Sequence, residues 1–295
     1  MESHKGPNMK CCICGHGLTV PISDIRRESP LCGSCGSNAR FRGVVLAILR
    51  HVFRNEGVPL IEQKPRPDVK SLGMSDSDSY AKLLAEKLTY VNTYQHQPPL
   101  LDVCDPRSVE QFNEYDLIVS SDVIEHTRDP PHIVLRRMRQ MLSEDGIVVL
   151  STPTYDLRDS IEWYPNAKNL EVLTQNDRHI VKWQNQRGVT YVDDHPNFHG
   201  GPGDTLEMRI STPDGLFAAA RQAGFSHHTL EFDESVGYIW PLTATGDPVV
   251  PGPIDSRIVV LRPQVDSEES LSWISRSAFG NFIRNFWAGK PTQKG

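Results

Sequence analysis

Four cysteines in two matched pairs carry the clearest chemistry in this 295-residue chain. Cys11-x2-Cys14 and Cys32-x2-Cys35 stand seventeen residues apart. Each C-x-x-C turn brings two thiolates to one side of a tight loop, and two such loops complete the tetrahedral sulfur shell that structural zinc prefers. Gly15 and Gly36 directly follow the second cysteine of each pair, where they let the backbone turn its amides toward sulfur. With all four positions filled by protein, zinc at Cys11, Cys14, Cys32 and Cys35 is expected to be structural. Cys12 in the ligand set would spoil the two-residue spacing. His16 could replace one cysteine, though nothing in the spacing requires it, and Cys104 reads as a small core residue.

Two further clusters sit where apolar runs end. Val69-Lys70-Ser71-Leu72-Gly73 leads into Met74-Ser75-Asp76-Ser77, a tight turn of the kind at which open parallel sheets bind nucleotide-like ligands. Of a dinucleotide fingerprint only Gly73 is present, with Ser75 and Ser77 at the next alternate positions. The run Tyr115 to Ser121 leads into Asp122-Val123-Ile124-Glu125-His126, two carboxylates and an imidazole able to carry protons at a strand end.

The elements around these clusters follow the rhythm of a parallel sheet with helical crossovers. Strands are predicted at 69–73, 89–94, 100–103, 116–120 and 147–151, with helices at 79–88 and 130–142. Asp129 is the predicted N-cap of the second helix and Pro130 its first residue. A helix at 213–223 and strands near 228–232 and 257–261 complete the set. Ahead of the sheet, Phe41, Val44, Val45, Ile48, Leu49 and Val52 recur at helical spacing over Arg40–Arg54, interleaved with arginines. The resulting division is 1–67 for a zinc module with helix and linker, 68–265 for a larger α/β domain, and 266–295 for a tail. Residues 154–210 form an insertion too long for a plain connection. Within it 179–183 and 189–192 suit a hairpin, and Trp163, Tyr164, Trp183 and Tyr191 suit either a substrate wall or that hairpin's own core. His195 and His199 with Asp193 and Asp194 read as loop polar residues before a metal site. Phe279, Phe282, Ile283, Phe286 and Trp287 in the tail suit docking on the body or on a second copy of the chain.

Bulk properties narrow the partners. No apolar run approaches the eighteen or so residues that span a bilayer, and the polar Met1–Lys10 segment lacks the apolar stretch of a secretory signal. The expected compartment is the reducing cytoplasm, where paired C-x-x-C motifs read as metal ligands. A net charge of −6 argues against a nucleic-acid partner, although residues 1–67 carry +5 and the remainder −11. That basic front end suits the acidic surface of its own second domain before an external anion.

The stretch 115–153, with its D-V-I-E-H turn, the Pro130 helix and Leu142-x3-Gly146 before Ile147 to Pro153, resembles the class I S-adenosylmethionine-dependent methyltransferases. The resemblance spans about 69–262, and some relatives also carry a C-x-x-C pair leading into an arginine-containing helix, as in Ser37 to Arg42. It implies a Rossmann-like sheet with helices on both faces, S-adenosylmethionine as methyl donor, and transfer to a small-molecule, sugar or carrier-linked acceptor at oxygen or nitrogen. Phe198 to Gly203 with Leu206 to Arg209 looks like a bacterial subset associated with glycan and natural-product biosynthesis. Carried over residue by residue, Gly73, Met74 and Ser75 would line the methionine part of the donor. Asp102 would accept from the adenine amino group, and Ser120 and Ser121 would face the sulfonium. Tyr94 stands where the family has a ribose-binding acid. His126 is the first candidate for a general base, with Asp122, Glu125 and His199 as alternatives. Another use of the sulfonium, or a zinc-bearing binding module on the same fold, are the competing functions.

Overall fold

A six-stranded sheet organises the chain in the computed structural model, which describes residues 9–175, 178–199, 205–238, 254–255 and 257–264. The aromatic tail residues Phe279 to Trp287 and the glycines at 200, 201 and 203 lie outside the described residues. The strands are β1 (Arg66–Met74), β2 (Leu88–Thr93), β3 (Tyr115–Ser121), β4 (Leu142–Ser151), β5 (Phe225–Thr229) and β6 (Val259–Pro263). Their order is β5-β6-β4-β3-β1-β2. The first four are parallel, and β6 runs antiparallel to both its neighbours.

Helices α1 (Ala39–Ile48) and α2 (Asp78–Lys87) cover one face, while α3 (Pro131–Met141) and α4 (Pro213–Gln222) cover the other. The pleat of β3 divides between them. Leu117 and Val119 join the core that holds Val45, Ile48 and Leu84, whereas Ile118 joins Val134, Met138 and Leu216. Burial on both faces explains why β3 and β4 read as continuous apolar runs without alternation. Helix α1 begins at Asn38, whose Oδ1 accepts from the Phe41 amide at 2.8 Å. The predicted single helix to Arg54 instead widens into a π turn over Leu49–Phe53, which Arg54 ends in the left-handed conformation. Two of its arginines are interior: Arg42 is 1% exposed and caps the Ser37 and Gly237 carbonyls.

Some elements shift from their predicted places. The 100–103 strand reduces to one bridge between Tyr94 and Leu100, because the chain turns at Asp102, whose amide bonds Ser108 Oγ and whose carbonyl accepts from the Asp105 amide. Helix α3 starts one residue later than expected, with Pro130 as cap, since a residue before proline is pushed out of helical backbone. The Asp129 carboxylate bonds Arg137 instead. Strand β5 starts at Phe225, three residues early, because Gly224 at φ +81° turns the chain straight out of α4 and Phe225 is fully buried.

Within the insertion, Lys168–Gln175, Arg178–Gln184 and Thr190–Asp193 form a three-stranded antiparallel sheet. Its aromatics pack on one another. Trp183 stacks on Tyr191 at 4.5 Å, and Tyr164 meets Trp183 edge-on and donates to Asp193 at 2.7 Å. Tyr164 and Trp183 belong to the core of that small sheet, Tyr191 covers it from the exposed side, and none of the three lines the cavity described next.

Candidate active site

Strand order reverses at β1, whose neighbours β2 and β3 lead into diverging connections at their carboxyl ends. A cavity of about 400 Å³ opens there. Its walls include Met74, Ser75, Tyr94, Asp102, Asp122 and His126, six of the residues expected at a site, together with Gln95, Leu101 and Val103. Ser75 has φ +59° and its amide donates to the Thr93 carbonyl, so the chain turns sharply across the mouth of β1. Asp102 Oδ1 accepts from the Cys104 amide at 2.8 Å, and its Oδ2 lies 3.2 Å from Arg128. The Tyr94 hydroxyl accepts from Asn92 Nδ2 at 3.1 Å, which leaves its own hydrogen to donate elsewhere.

Four of the expected residues stand behind this wall. Gly73 is absent from the lining because Asp76 and Tyr90 crowd it: a Cβ there would lie 2.0 Å from Tyr90 Oη and 2.4 Å from Asp76 Oδ2. Ser120 is fully buried with its Oγ unpartnered. Ser121 Oγ sits between Arg40 Nη1 at 2.6 Å and Ser151 Oγ at 3.0 Å. Glu125 is 2% exposed, with Oε2 accepting from Thr152 Oγ1 at 3.0 Å and Oε1 without a hydrogen bond. Burial, with the Asp122 charge nearby, pushes its carboxyl up to about 8. The fifth, His199, is paired through backbone with Thr205, a cavity residue.

The D-V-I-E-H turn is fixed from outside. His126 Nδ1 lies 2.9 Å from the Leu206 carbonyl, and its Nε2 is 3.8 Å from Glu125 Oε1. Arg209, 3% exposed, bonds the carbonyls of Ile124, Thr127 and Asp129 and reaches Glu162 at 2.8 Å. Asp76, seen in the sequence only as part of a turn, is a second buried carboxyl. It accepts from Tyr80 and Tyr90 at 2.8 Å each, and burial raises it to about 7.

The family model for a methyltransferase domain matches residues 42–199. The chain belongs to this methyltransferase family. Among solved structures, the methyltransferase is similar to Streptomyces venezuelae DesVI, at 12% identity over 68% of this chain and 85% of that one, with a TM-score of 0.35. It is also similar to an S-adenosylmethionine-dependent methyltransferase from Clostridium acetobutylicum, at 9% identity over 66% and 84% of the two chains, with a TM-score of 0.36. No curated protein matches the sequence. The expected fold class, a Rossmann-like methyltransferase sheet covered on both faces, is the one observed.

The methyltransferase also gathers its four paired cysteines. Cys11, Cys14, Cys32 and Cys35 bring their Sγ atoms within 4.8 Å of one another. The two loops are built alike. Cys11 and Cys32 amides bond the carbonyls of His16 and Ser37, and Gly15 and Gly36 amides bond back to Cys11 and Cys32. Both glycines take positive φ, +76° and +72°, which releases amides toward sulfur: those of Ile13 and Cys14 aim at Cys11. Four convergent sulfurs backed by amide donors fit a metal cation. Cys12 Sγ turns away to the Arg42 carbonyl, 3.3 Å distant. Among the described residues this is the group able to hold a metal; Asp194 and His195 are exposed and pair with each other.

Proposed function

We propose that the methyltransferase moves the methyl group of S-adenosylmethionine to an oxygen or nitrogen of a small-molecule, sugar or carrier-linked acceptor. One observation carries this reading: Met74, Ser75, Tyr94, Asp102 and His126, from the end of β1 and the segments that follow β1, β2 and β3, line a single cavity at the switch point of the sheet. Bound there, the donor would supply an electrophilic methyl carbon on a sulfonium. Asp102, its carboxylate oriented by the Cys104 amide, can accept from an exocyclic amino group. Tyr94 can donate to a ribose oxygen in place of the missing acid.

His126 is the proposed base. A carbonyl oxygen only accepts, so the proton of the neutral ring belongs on Nδ1 against Leu206, and Nε2 keeps the lone pair. That nitrogen can take the acceptor's proton as the methyl is transferred. Glu125, protonated at neutral pH by its burial, places no full negative charge beside the ring. The four-sulfur cluster suits zinc held structurally, with no position open to substrate. Thiols kept as metal ligands suit the cytoplasm, and no helix among the described residues is long and apolar enough to cross a membrane.

Calorimetric titration with S-adenosylmethionine and S-adenosylhomocysteine is expected to give one site per chain, and no heat of binding to metal-loaded protein would overturn the reading. With an acceptor found by release of S-adenosylhomocysteine from a panel of alcohols and amines, His126→Ala should lose about 10²–10⁴-fold in kcat. Its affinity for S-adenosylhomocysteine should change little; unaltered turnover would remove His126 from the base role.

A further inference from the structure

The loop between the two cysteine pairs reaches back into the cavity wall. Arg27 lies in the seventeen residues between Cys14 and Cys32. Its side chain is 6% exposed, and Nη2 donates to both carboxylate oxygens of Asp122 at 2.5 Å. Arg40, the second residue of α1, brings Nε to 3.3 Å from Asp122 Oδ2 and donates through Nη1 to Ser121 at 2.6 Å. Glu28 bonds Arg27 at 2.5 Å and Arg40 at 2.9 Å, tying the two guanidiniums into one group. The Arg40 amide also bonds the Arg27 carbonyl at 3.3 Å.

Asp122 needs this hold. It has φ +56°, a left-handed conformation that aspartate adopts more readily than most residues with a Cβ but still at a cost, so the contacts that hold its side chain also help to hold its backbone. Its amide bonds the Ser151 carbonyl at 3.0 Å and Ser151 Oγ donates to Oδ1 at 3.1 Å, so β4 supplies part of the restraint. An ionic part comes from Arg27 of the cysteine segment and from Arg40 at the start of α1. A carboxylate this buried, 6% exposed, stays charged only beside cations. Because Asp122 opens the turn that runs on to His126 and lines the cavity itself, its backbone sets where that wall stands.

We propose that Arg27 is a positioning residue that makes the geometry of the methyl-donor cavity depend on metal occupancy of the four-cysteine cluster. The cluster clamps both ends of the Arg27 loop, with Cys14 and Cys32 Sγ 3.7 Å apart and Cys11 and Cys35 Sγ 3.6 Å apart. Loss of the metal frees those ends, loosens Arg27 and leaves Asp122 short of a cation. The chain then relaxes from Asp122 toward His126. This inference rests on the donor site proposed above, and its test separates the two.

Hydrogen exchange of residues 121–127 is measured on full-length metal-loaded protein, on chelator-stripped protein, and on Arg27→Ala and Arg27→Lys. S-adenosylhomocysteine affinity and metal content are measured alongside. Arg27→Ala should keep its metal, exchange at least tenfold faster over 121–127 with β6 unchanged, and bind S-adenosylhomocysteine at least tenfold more weakly. Arg27→Lys should recover part of both. Stripping the metal from the native chain should reproduce both the faster exchange over 121–127 and the weaker S-adenosylhomocysteine binding. In a cycle with Asp122→Asn, the double variant should bind no worse than the weaker single variant, because Arg27 acts through Asp122. Unchanged exchange over 121–127 in Arg27→Ala or stripped protein overturns the inference, as do additive effects in the cycle. Faster exchange in a chain that never binds S-adenosylhomocysteine would support the positioning role and refute the donor site alone.

Discussion

Two buried carboxyls, Asp76 and Glu125, flank the site, and desolvation raises both, the first to about 7 and the second to about 8. An acid whose folded pKa is raised binds more protons folded than unfolded, so stability falls as pH climbs from its ordinary value to the raised one. For Glu125 that window runs from about 4.5 to about 8. Thermal unfolding should therefore occur at lower temperature at pH 8 than at pH 5. Glu125→Gln, which keeps the acceptor for Thr152 but cannot ionise, should remove most of that loss, about 3–4 kcal/mol between pH 5 and pH 8. An identical pH slope in the variant would mean that Glu125 is already charged. Gly73 sets the other residue-scale constraint. Gly73→Ala must displace Tyr90 or Asp76, and should cost about 1–3 kcal/mol by denaturant titration while weakening donor binding.

Among the elements, the insertion sheet is tied to the proposed base through Leu206. Leu206 packs on its aromatic cluster, and the Leu206 carbonyl fixes the His126 ring. Trp183 is 8% exposed at the centre of that cluster, so Trp183→Ala should cost about 3–5 kcal/mol locally and loosen the sheet. The consequence belongs to the acceptor side. Affinity for S-adenosylhomocysteine should stay within about threefold while turnover falls, with limited proteolysis now cutting inside 168–193. A parallel loss of donor affinity would show that the insertion supports the donor side as well.

At the scale of the molecule, the cysteine segment is not an appendage. The described residues of Met1–Pro263 form one compact unit, and Cys11, Cys12, Ile13 and Cys32 share a core with Val45 on α1 and Val119 and Val149 in the sheet. Two of its arginines, Arg27 and Arg40, share a buried carboxylate of the same unit, Asp122. Cys14→Ser should release the metal and lower the melting temperature of the whole unit in one transition, as read by calorimetry. A separate early transition, with the sheet melting unchanged, would mean that the segment folds on its own.

Much of this was legible without coordinates because it is local. Two-residue cysteine spacing with a following glycine specifies a sulfur loop by itself, and both loops form as that pattern requires. Apolar runs buried on both faces gave β1, β3 and β4, and Met74, Ser75, Tyr94, Asp102 and His126 do meet at one cavity. The missed features are those made by distant pairs. Nothing near Arg27 announces Asp122, which lies 95 residues away, and Asp76 owes its burial to Tyr80 and Tyr90 closing over it. Arg209 likewise binds carbonyls some 80 residues away. Periodicity and spacing record what a residue does with its neighbours in the chain. Which charge is taken out of water, and beside which partner, is decided only when the sheet and its helices bring those surfaces together.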